Sequence, residues 1–440
     1  MKETKGYGIM SPDIIRAEVR IGTTYRVRST WYNVDTNEKG NEFVADTKKR
    51  GFKTVETNYE ELDERIREHR KQLLKRGVRV VVIALVLIIG VQIISALRSF
   101  DSYEVAATIE RNSTGAAQYM TFGEYLLEYS KDGISCVDSQ QGILWNQAFE
   151  MLAPQVEECG EYLVVYDAGG TKIFIMTKSG LQKELEMASP IQTVCIADQG
   201  TIAVLMKEEQ ESQVKLFDKK GNELANGKFY GDKGGFPIDI AFSHDATKLA
   251  VDMVDVSKGS VNTTITFYNF GSVGQSEIDN NVGSYTFEGL LVPEIAYVSD
   301  SKMIGIGTGK ILVFDGAQKP EVSKEIVIEE EILSSFYNDK YMGIVYDNIE
   351  VENSWHIKVM DMRGMTIMEN EISIPYENVE FLANDEICVT NQMECEIFTT
   401  HSIKKFSYTF DKELYKILSG DNGQNYTFIF KDTIEEVKLK

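Results

Sequence analysis

Four carboxylates stand at corresponding positions in short apolar segments of the C-terminal two-thirds of the chain. Aligned on the ends of these segments, Asp239 and Glu294 share one position, and Glu157 and Glu380 share the position after it. If the segments are strands that line one channel, the four carboxylates face a common space and can hold a cation or a basic group. The alternative, which the sequence favours, is a rim of solvated or hydrogen-bonded side chains.

No other pattern in the sequence indicates catalysis. The four histidines (His69, His244, His356 and His401) lie far apart and form no metal-binding motif, so we predict no metal site. Residues 305–310 contain three glycines and a lysine but lack the Ser or Thr that ends a phosphate-binding loop. A site assembled from several distant strands would leave no such motif. The sequence therefore predicts no catalytic residue and no cofactor.

Five cysteines are few for a chain of 440 residues, and no two of them form a CxxC pair. A zinc ribbon and a thioredoxin-like redox site are therefore not indicated. Cys388 and Cys395 could face each other across a hairpin that turns at Asn391 and Gln392, which would allow a cross-strand disulfide. Buried free thiols are the alternative, and the sequence favours them.

These residues are positioned by a repeated unit that begins with a short apolar strand, a polar turn and a second apolar strand. The turn and second strand together read, for example, GEYLVVY, DQGTIAVLM and NDKYMGIVY. The first strands end at Phe122, Cys159, Ile196, Phe242, Tyr297, Tyr337, Leu382 and Leu418, at intervals of 36 to 55 residues. Four-stranded units of about 40–45 residues are typical of β-propeller blades, whose first strands line a central channel. The sequence therefore predicts an all-β propeller of eight blades or, as the alternative, seven.

The last unit ends at Lys440 after its third strand. The segment 103–110, YEVAATIE, precedes the first unit and alternates in the manner of a strand. We expect it to supply the missing strand, so that the propeller covers residues 103–440. Closure of this kind removes a sheet edge on which another chain could pair.

Charge is divided unevenly along the chain. Residues 1–79 contain 18 Lys and Arg against 13 Asp and Glu, whereas residues 99–440 contain 27 against 55. The acidic part should repel polyanions, so the sequence argues against a nucleic-acid-binding function.

Residues 80–97, VVVIALVLIIGVQIISAL, form an uncharged run of 18 residues. A helix of this length spans about 27 Å, enough for the hydrocarbon core of a bilayer. Lys and Arg residues cluster between positions 65 and 79, which places the N-terminus in the cytoplasm and the C-terminal domain outside it. We predict a flexible cytoplasmic tail over 1–57, a basic helix over 58–79 and a transmembrane helix over 80–98. The short linker that follows makes the membrane-distal face and the blade rims the expected partner surfaces.

The segment from Asp138 to Trp145, DSQQGILW, resembles the D-x-x-x-G-x-x-x-W signature of quinoprotein-type propellers but is one residue shorter. The other units lack this tryptophan, so the resemblance does not extend to a quinone cofactor. The layout of residues 65–440 is similar to a family of uncharacterised, single-pass membrane-anchored propeller proteins of Gram-positive anaerobic bacteria. That resemblance implies a cell-envelope location and no established activity.

Three functional hypotheses follow. The leading one is a non-enzymatic binding or scaffold module of the cell envelope, with a protein or another envelope component as its partner. The second is a transmembrane sensor, in which the propeller binds an extracellular ligand and the 58–79 helix reports it inward. The third is an envelope hydrolase or lyase, which predicts clustered acidic residues with perturbed pKa values in the channel.

Overall fold

The computed structural model describes residues 59–96, 98–110, 118–138, 142–208, 211–231, 234–257, 259–348, 354–420 and 422–440. A helix, α1, covers Tyr59–Ala96. Within the described residues, no helix combines the length and the apolar character needed to cross a membrane. The tail that the sequence predicts over 1–57 lies outside the described residues.

The C-terminal part of the chain forms eight four-stranded antiparallel sheets, numbered blades 1–8 in chain order. Blade 1 consists of β2 Gln118–Phe122, β3 Tyr125–Ser130, β4 Gly133–Asp138 and β5 Gly142–Ala148, and blade 2 of β6 Pro154–Cys159, β7 Tyr162–Asp167, β8 Lys172–Thr177 and β9 Gly180–Glu186. Blade 3 consists of β10 Ile191–Ile196, β11 Ile202–Lys207, β12 Glu211–Phe217 and β13 Glu223–Tyr230, and blade 4 of β14 Phe236–Phe242, β15 Lys248–Asp255, β16 Asn262–Asn269 and β17 Asn281–Glu288. Short 3-10 turns at Gly274–Ser276 and Ile278–Asn280 precede β17.

Blades 5–8 repeat the same plan. Blade 5 consists of β18 Glu294–Ser299, β19 Lys302–Gly307, β20 Lys310–Asp315 and β21 Glu321–Val327, and blade 6 of β22 Ser334–Tyr337, β23 Tyr341–Asp347, β24 Trp355–Asp361 and β25 Thr366–Ile372. Blade 7 consists of β26 Asn378–Phe381, β27 Ile387–Thr390, β28 Glu394–Phe398 and β29 Lys404–Thr409, and blade 8 of β30 Leu414–Ser419, β31 Asn425–Phe430, β32 Thr433–Leu439 and β1 Tyr103–Glu110.

The eight sheets form a ring. In blades 1–7 the four strands follow chain order, from a first strand on the inside to a fourth on the outside. First strands of successive blades contact each other, including β6 with β10, β10 with β14, β14 with β18, β22 with β26 and β30 with β2. They line the central channel, as in other propellers. The prediction of an all-β, eight-bladed propeller is confirmed, and the seven-bladed alternative is wrong.

Blade 8 joins the two ends of the domain. Strand β1 pairs with β32 from Tyr103 opposite Leu439 to Glu110 opposite Thr433. The ring of Tyr103 packs edge-on against Tyr408, with centroids 5.0 Å apart. The segment that the sequence assigns to this position therefore closes the ring and pairs one edge of β32 that would otherwise be open.

The hydrophobic core lies between the blades. Second strands carry runs of fully buried residues, such as Leu163–Val165 in blade 2 and Ile202–Leu205 in blade 3. They are mostly apolar because neighbouring blades cover both faces of each sheet, with exceptions such as Glu128 in blade 1 and Asp252 in blade 4. Outer strands alternate between half-buried and exposed residues, as β9 does from Gln182 to Glu186. This difference between inner and outer strands produces the repeat seen in the sequence.

In blades 2, 3 and 6, the turn between the third and fourth strands docks on the blade before it. Asp218 accepts hydrogen bonds from the backbone N–H groups of Lys220 and Asn222 at 2.9 and 2.8 Å. Gly221 closes this turn with φ +84°, and a Cβ there would lie 2.7 Å from Leu185 in the outer strand of blade 2. The turn requires glycine both for the positive φ and for the close approach of the neighbouring blade.

Trp145 occupies the corresponding position between blades 1 and 2. Its indole N–H donates to the Lys178 carbonyl at 3.1 Å, and its ring lies over Gly180. Between blades 5 and 6 the same place is taken by Ile326 over Gly364. Aliphatic side chains therefore perform the docking that the single tryptophan performs in blade 1, which explains why the signature is incomplete in the other units.

The two faces of the ring carry different turns. Turns between first and second strands, and between third and fourth strands, lie on one face, which we call the turn face. Strand β1 begins on this face, because Tyr103 lies opposite Leu439 at the end of the third strand of blade 8. The chain therefore reaches the propeller from the turn face.

Candidate functional site: an acidic channel

The first strands of blades 2, 4 and 5 bring Glu157, Asp239 and Glu294 into one part of the channel. Glu157 lies on the channel side, where solvent reaches its side chain although protein encloses it. Enclosure by the protein, followed by the negative charges of Asp239 and Glu294, raises the pKa of its carboxyl to about 7. Because the charges of Asp239 and Glu294 act on the Glu157 carboxyl, the three groups share one electrostatic environment.

Asp239 connects blade 4 to blade 5. Its two carboxyl oxygens accept hydrogen bonds from the backbone N–H groups of Ile240 and Ile295, each at 2.9 Å. These bonds favour the charged form, yet burial outweighs them and raises the pKa of Asp239 to about 7. Both oxygens are therefore committed to holding the neighbouring strands.

Glu294 connects blade 5 to blade 6. It accepts a hydrogen bond from the Ser335 hydroxyl at 3.1 Å, and Tyr337 also donates to it. Burial raises the pKa of Tyr337 well above its ordinary value, and the charges of Glu294 and Glu157 raise it further. The phenol is therefore a permanent hydrogen-bond donor to this acidic group.

Asp252 is a fourth carboxyl of the group, and sequence reasoning missed it. It lies directly opposite Asp239 in the pairing of β14 with β15 and is 0 % exposed, and neither of its oxygens has a hydrogen-bond partner among the described residues. Burial, together with the charge of Asp239, raises its pKa to about 8. A single Asp in the otherwise apolar strand LAVDMV was the available signal, because an unpaired charge is rarely buried.

Glu380 does not join this group. It forms an ion pair with Lys416 of the next blade and lines a cavity of about 1160 Å³ bounded by blades 6, 7, 8 and 1. This cavity opens among the turns of the turn face, such as 338–340 and 383–385. Tyr337 also lines it, so the cavity reaches the hydrogen-bonding environment of Glu294.

The sequence profile of a family of unknown function, DUF5711, matches residues 96–439. The chain belongs to this family. The matched region contains all thirty-two strands of the propeller, so in this DUF5711 chain the family region and the propeller coincide. None of the curated proteins compared with the chain matches it.

Solved structures with similar folds share little sequence with this DUF5711 chain. BamB from Moraxella catarrhalis is 12% identical, with a TM-score of 0.48 over 77% of this chain and 98% of that one. A eukaryotic initiation factor is 14% identical, with a TM-score of 0.45 over 75% of this chain and 83% of that one. BBS1N, solved in complex with ARL6DN, is 11% identical, with a TM-score of 0.41 over 78% of this chain and 98% of that one.

The cysteines considered for a disulfide lie in blade 7. Cys388 and Cys395 are both buried free thiols. Cys388 lies opposite Ile397, and Cys395 lies opposite Thr390, so the two cysteines are not direct partners across the strands. The disulfide considered for this pair stays a prediction.

The buried carboxyl of Asp252 predicts a loss of stability with rising pH. The folded state keeps a proton that the unfolded state releases, since the pKa is about 8 when folded against 3.8 otherwise. Stability from this group is complete below the unfolded pKa and is lost as pH rises through the folded one. Asp252 should therefore lower the free energy of unfolding by up to about 1.4 kcal/mol per pH unit between about pH 6 and pH 8.

Urea unfolding at a series of pH values measures this slope. The side chain in Asp252→Asn cannot ionise, so the slope should be less steep by about 1.4 kcal/mol per pH unit, the contribution of one proton. Asp339→Asn, on an exposed turn of blade 6, is the matched control and should leave the slope unchanged. Equal slopes in wild type and Asp252→Asn would show that Asp252 is not a buried neutral acid.

Proposed function

We propose that this chain is a non-enzymatic binding module of the cell envelope whose acidic channel receives a cationic group, such as a primary amine, from its ligand. The observation that carries the proposal is the electrostatic environment of Glu157. Within the part of the chain that the structure describes, the charged groups that act on its carboxyl are the carboxylates of Asp239, Glu294 and Glu158, and none is a Lys or Arg. An enclosed site of one sign of charge attracts a ligand of the other sign.

Blade 7 contains an internal example of the proposed interaction. Glu380 occupies the same position in its first strand as Glu157, and the ammonium of Lys416, from the next blade, neutralises it. In the sheet register, blade 3 has Thr193 where blade 8 has Lys416, because each lies directly after the bulge in its first strand. Glu157 therefore lacks the cation that its counterpart has, and a ligand amine can take that place. Charge-assisted hydrogen bonds of this kind contribute about 1.5–3 kcal/mol.

The other carboxyls do not compete with Glu157 for the ligand. Both oxygens of Asp239 already accept backbone hydrogen bonds, and Asp252 is inaccessible. Asp239 adds negative charge beside Glu157 when it is ionised, whereas Asp252 keeps its proton below about pH 8 and adds none. Glu157, Asp239 and Glu294 do not line the cavity of about 1160 Å³, which approaches this group at Tyr337.

The membrane anchor is part of the same proposal. It is supported by the uncharged run at 80–97, by the basic residues before it and by the exposed apolar side chains from Val80 to Leu87 on α1. Because the chain reaches the propeller from the turn face within a few residues of this run, an anchor there places the turn face nearest the lipid. Ligands would then enter the cavity from the membrane side, and not from the distal face that the short linker alone suggested.

Binding of an oligolysine peptide to the full-length chain in detergent tests the proposal. Glu157→Gln should weaken binding by about tenfold, which corresponds to about 1.4 kcal/mol. Wild-type affinity should rise from about pH 6 to about pH 8, because the Glu157 carboxyl ionises near pH 7. Isothermal titration calorimetry measures both effects and the release of protons at pH 6.

The matched control is Glu184→Gln, the same substitution at an exposed position in the outer strand of the same blade. It should bind oligolysine as the wild type does. Equal loss in both variants would show only a general effect of net charge and would overturn the channel as the site. Absence of binding by the wild-type chain would do the same.

Acid–base catalysis is the second candidate, because Glu157 and Asp239 both have pKa values of about 7. Groups that titrate near neutral pH suit proton transfer. A hydrolase needs two such groups directed at one substrate. Asp239 is committed to backbone hydrogen bonds, and Glu158, an exposed carboxyl whose pKa burial raises to about 7, follows Glu157 directly in the strand and so points to the opposite face of the sheet. The geometry therefore favours binding. Slow turnover of envelope polysaccharide or peptide that Glu157→Gln abolishes would reverse this preference.

A further inference from the structure

Three consecutive blades place a thiol, a carboxylate and an imidazole together on the turn face. Cys159 ends the first strand of blade 2, and Asp198 and His244 lie in the corresponding turns of blades 3 and 4. One ligand atom from each residue lies within 4.8 Å of the other two. The Cys159 Sγ donates a hydrogen bond to Asp198 Oδ1 at 2.9 Å.

Backbone hydrogen bonds hold this cluster in place. The N–H of Asp198 donates to the carbonyl of His244 at 2.9 Å, so the turns of blades 3 and 4 are joined directly. Each turn is also closed on itself, by Gly200 N–H to the Ala197 carbonyl and by Ala246 N–H to the Ser243 carbonyl, both at 2.8 Å. The positions of the ligand atoms are therefore set by the ring of blades.

We propose that Cys159, Asp198 and His244 bind a divalent transition-metal ion of the zinc type. Sulfur, nitrogen and oxygen ligands together suit Zn²⁺, whereas Ca²⁺ and Mg²⁺ prefer oxygen alone. Cys159 and His244 are half-buried and Asp198 is exposed, so the cluster faces solvent on one side. Three protein ligands with one position open to water are the pattern of a zinc site that can accept a further ligand.

Metal binding requires the side chains to move, because ligand atoms up to 4.8 Å apart must approach to about 3.5 Å. With zinc bonds of about 2.3 Å to sulfur and 2.0 Å to oxygen, tetrahedral geometry separates these two atoms by about 3.5 Å. The thiol and carboxylate must therefore move apart by about 0.6 Å. Burial, together with the hydrogen bond and negative charge of Asp198, raises the pKa of the Cys159 thiol, so binding releases its proton and strengthens as pH rises.

The metal site would be separate from the acidic group that binds the proposed ligand. It would link the turns of blades 2, 3 and 4, and its open position would be available to a donor atom from a partner. Zinc bound to the folded state only should also stabilise the propeller, in proportion to the logarithm of its concentration above the dissociation constant.

Titration of the chelator-treated full-length chain tests the proposal. We expect one Zn²⁺ per chain, and Co²⁺ in the same site should show a thiolate-to-metal charge-transfer band. Cys159→Ser should abolish that band, and His244→Ala should weaken Zn²⁺ binding by at least about tenfold. His401→Ala, at an exposed position in blade 7, and Asp339→Asn, in the corresponding turn of blade 6, are the controls and should bind as the wild type does.

A measurement without variants guards against misfolding of the substituted chains. Zn²⁺ should protect the Cys159 thiol of the wild type from alkylation, as followed by mass spectrometry of its peptide. Absence of stoichiometric binding, or equal binding by wild type and Cys159→Ser, would overturn the site. Glu157→Gln should keep Zn²⁺ binding intact, so failure of the channel proposal and failure of the metal proposal give different results.

Discussion

A chain that begins at Arg111, after the closing strand, is expected to lose the folded propeller. Strand β1 pairs with β32 through seven residue pairs, and none of these can form without it. The same deletion removes Tyr103, whose ring contacts Tyr408 at 5.0 Å and Phe428 at 5.2 Å, centroid to centroid. An apolar cluster would be opened and the edge of β32 left free to pair with another chain. We expect insoluble protein, or soluble aggregate without cooperative unfolding.

The control for this deletion begins at Arg98, before the closing strand. Both chains lack the apolar run at 80–97, so they differ only by β1 and the residues beside it. The longer chain should show β-sheet circular dichroism and one sharp melting transition. A cooperative transition in the shorter chain at nearly the same temperature would contradict the structural role of β1.

The fold was predictable because its information is local and repeated. Each blade contains a turn and an apolar second strand, and these recur eight times at similar spacing. Even the closing strand could be inferred, since the last unit is short of one strand and 103–110 alternates. The helix at 59–96 follows from composition in the same way.

The candidate site was predictable only in part, because its contacts are made between blades. Aligning first strands grouped Asp239 with Glu294 and Glu157, which the structure brings together. The same alignment included Glu380, and nothing local shows that Lys416, 36 residues later, neutralises it. Charge partners that come from the next blade are invisible to spacing within one blade.

The metal cluster shows the same limit more clearly. A search for histidines and cysteines close in sequence finds no motif, because Cys159 and His244 belong to blades 2 and 4. In a propeller the neighbours of a turn residue are one blade away, about 40 residues along the chain. Comparing equivalent turn positions in successive blades pairs Asp198 with His244, but Cys159 corresponds to Ile196 and Phe242 at the strand ends and escapes this comparison too.

The second large effect concerns a buried ion pair at the junction of blades 7 and 8. Lys405 is 5% exposed and donates hydrogen bonds to Glu386 and, at 2.8 Å, to the Tyr426 hydroxyl. Tyr426, 1% exposed, in turn donates to Glu386. Each member satisfies the others, and no water is needed to complete the group. Removing the charge of Glu386 leaves the ammonium of Lys405 buried without compensation.

Glu386→Gln should therefore lower the free energy of unfolding by about 3–5 kcal/mol. Asp385→Asn is the matched control, since Asp385 pairs with Lys340 where solvent reaches both side chains. This substitution should lower the free energy of unfolding by about 1 kcal/mol or less. Replacing both buried partners, in Lys405→Met with Glu386→Leu, should recover most of the lost stability because no unpaired charge remains. Urea unfolding of the four chains separates these cases. Similar losses for Glu386→Gln and Asp385→Asn would show that the buried group is screened by water and does not stabilise the blade junction.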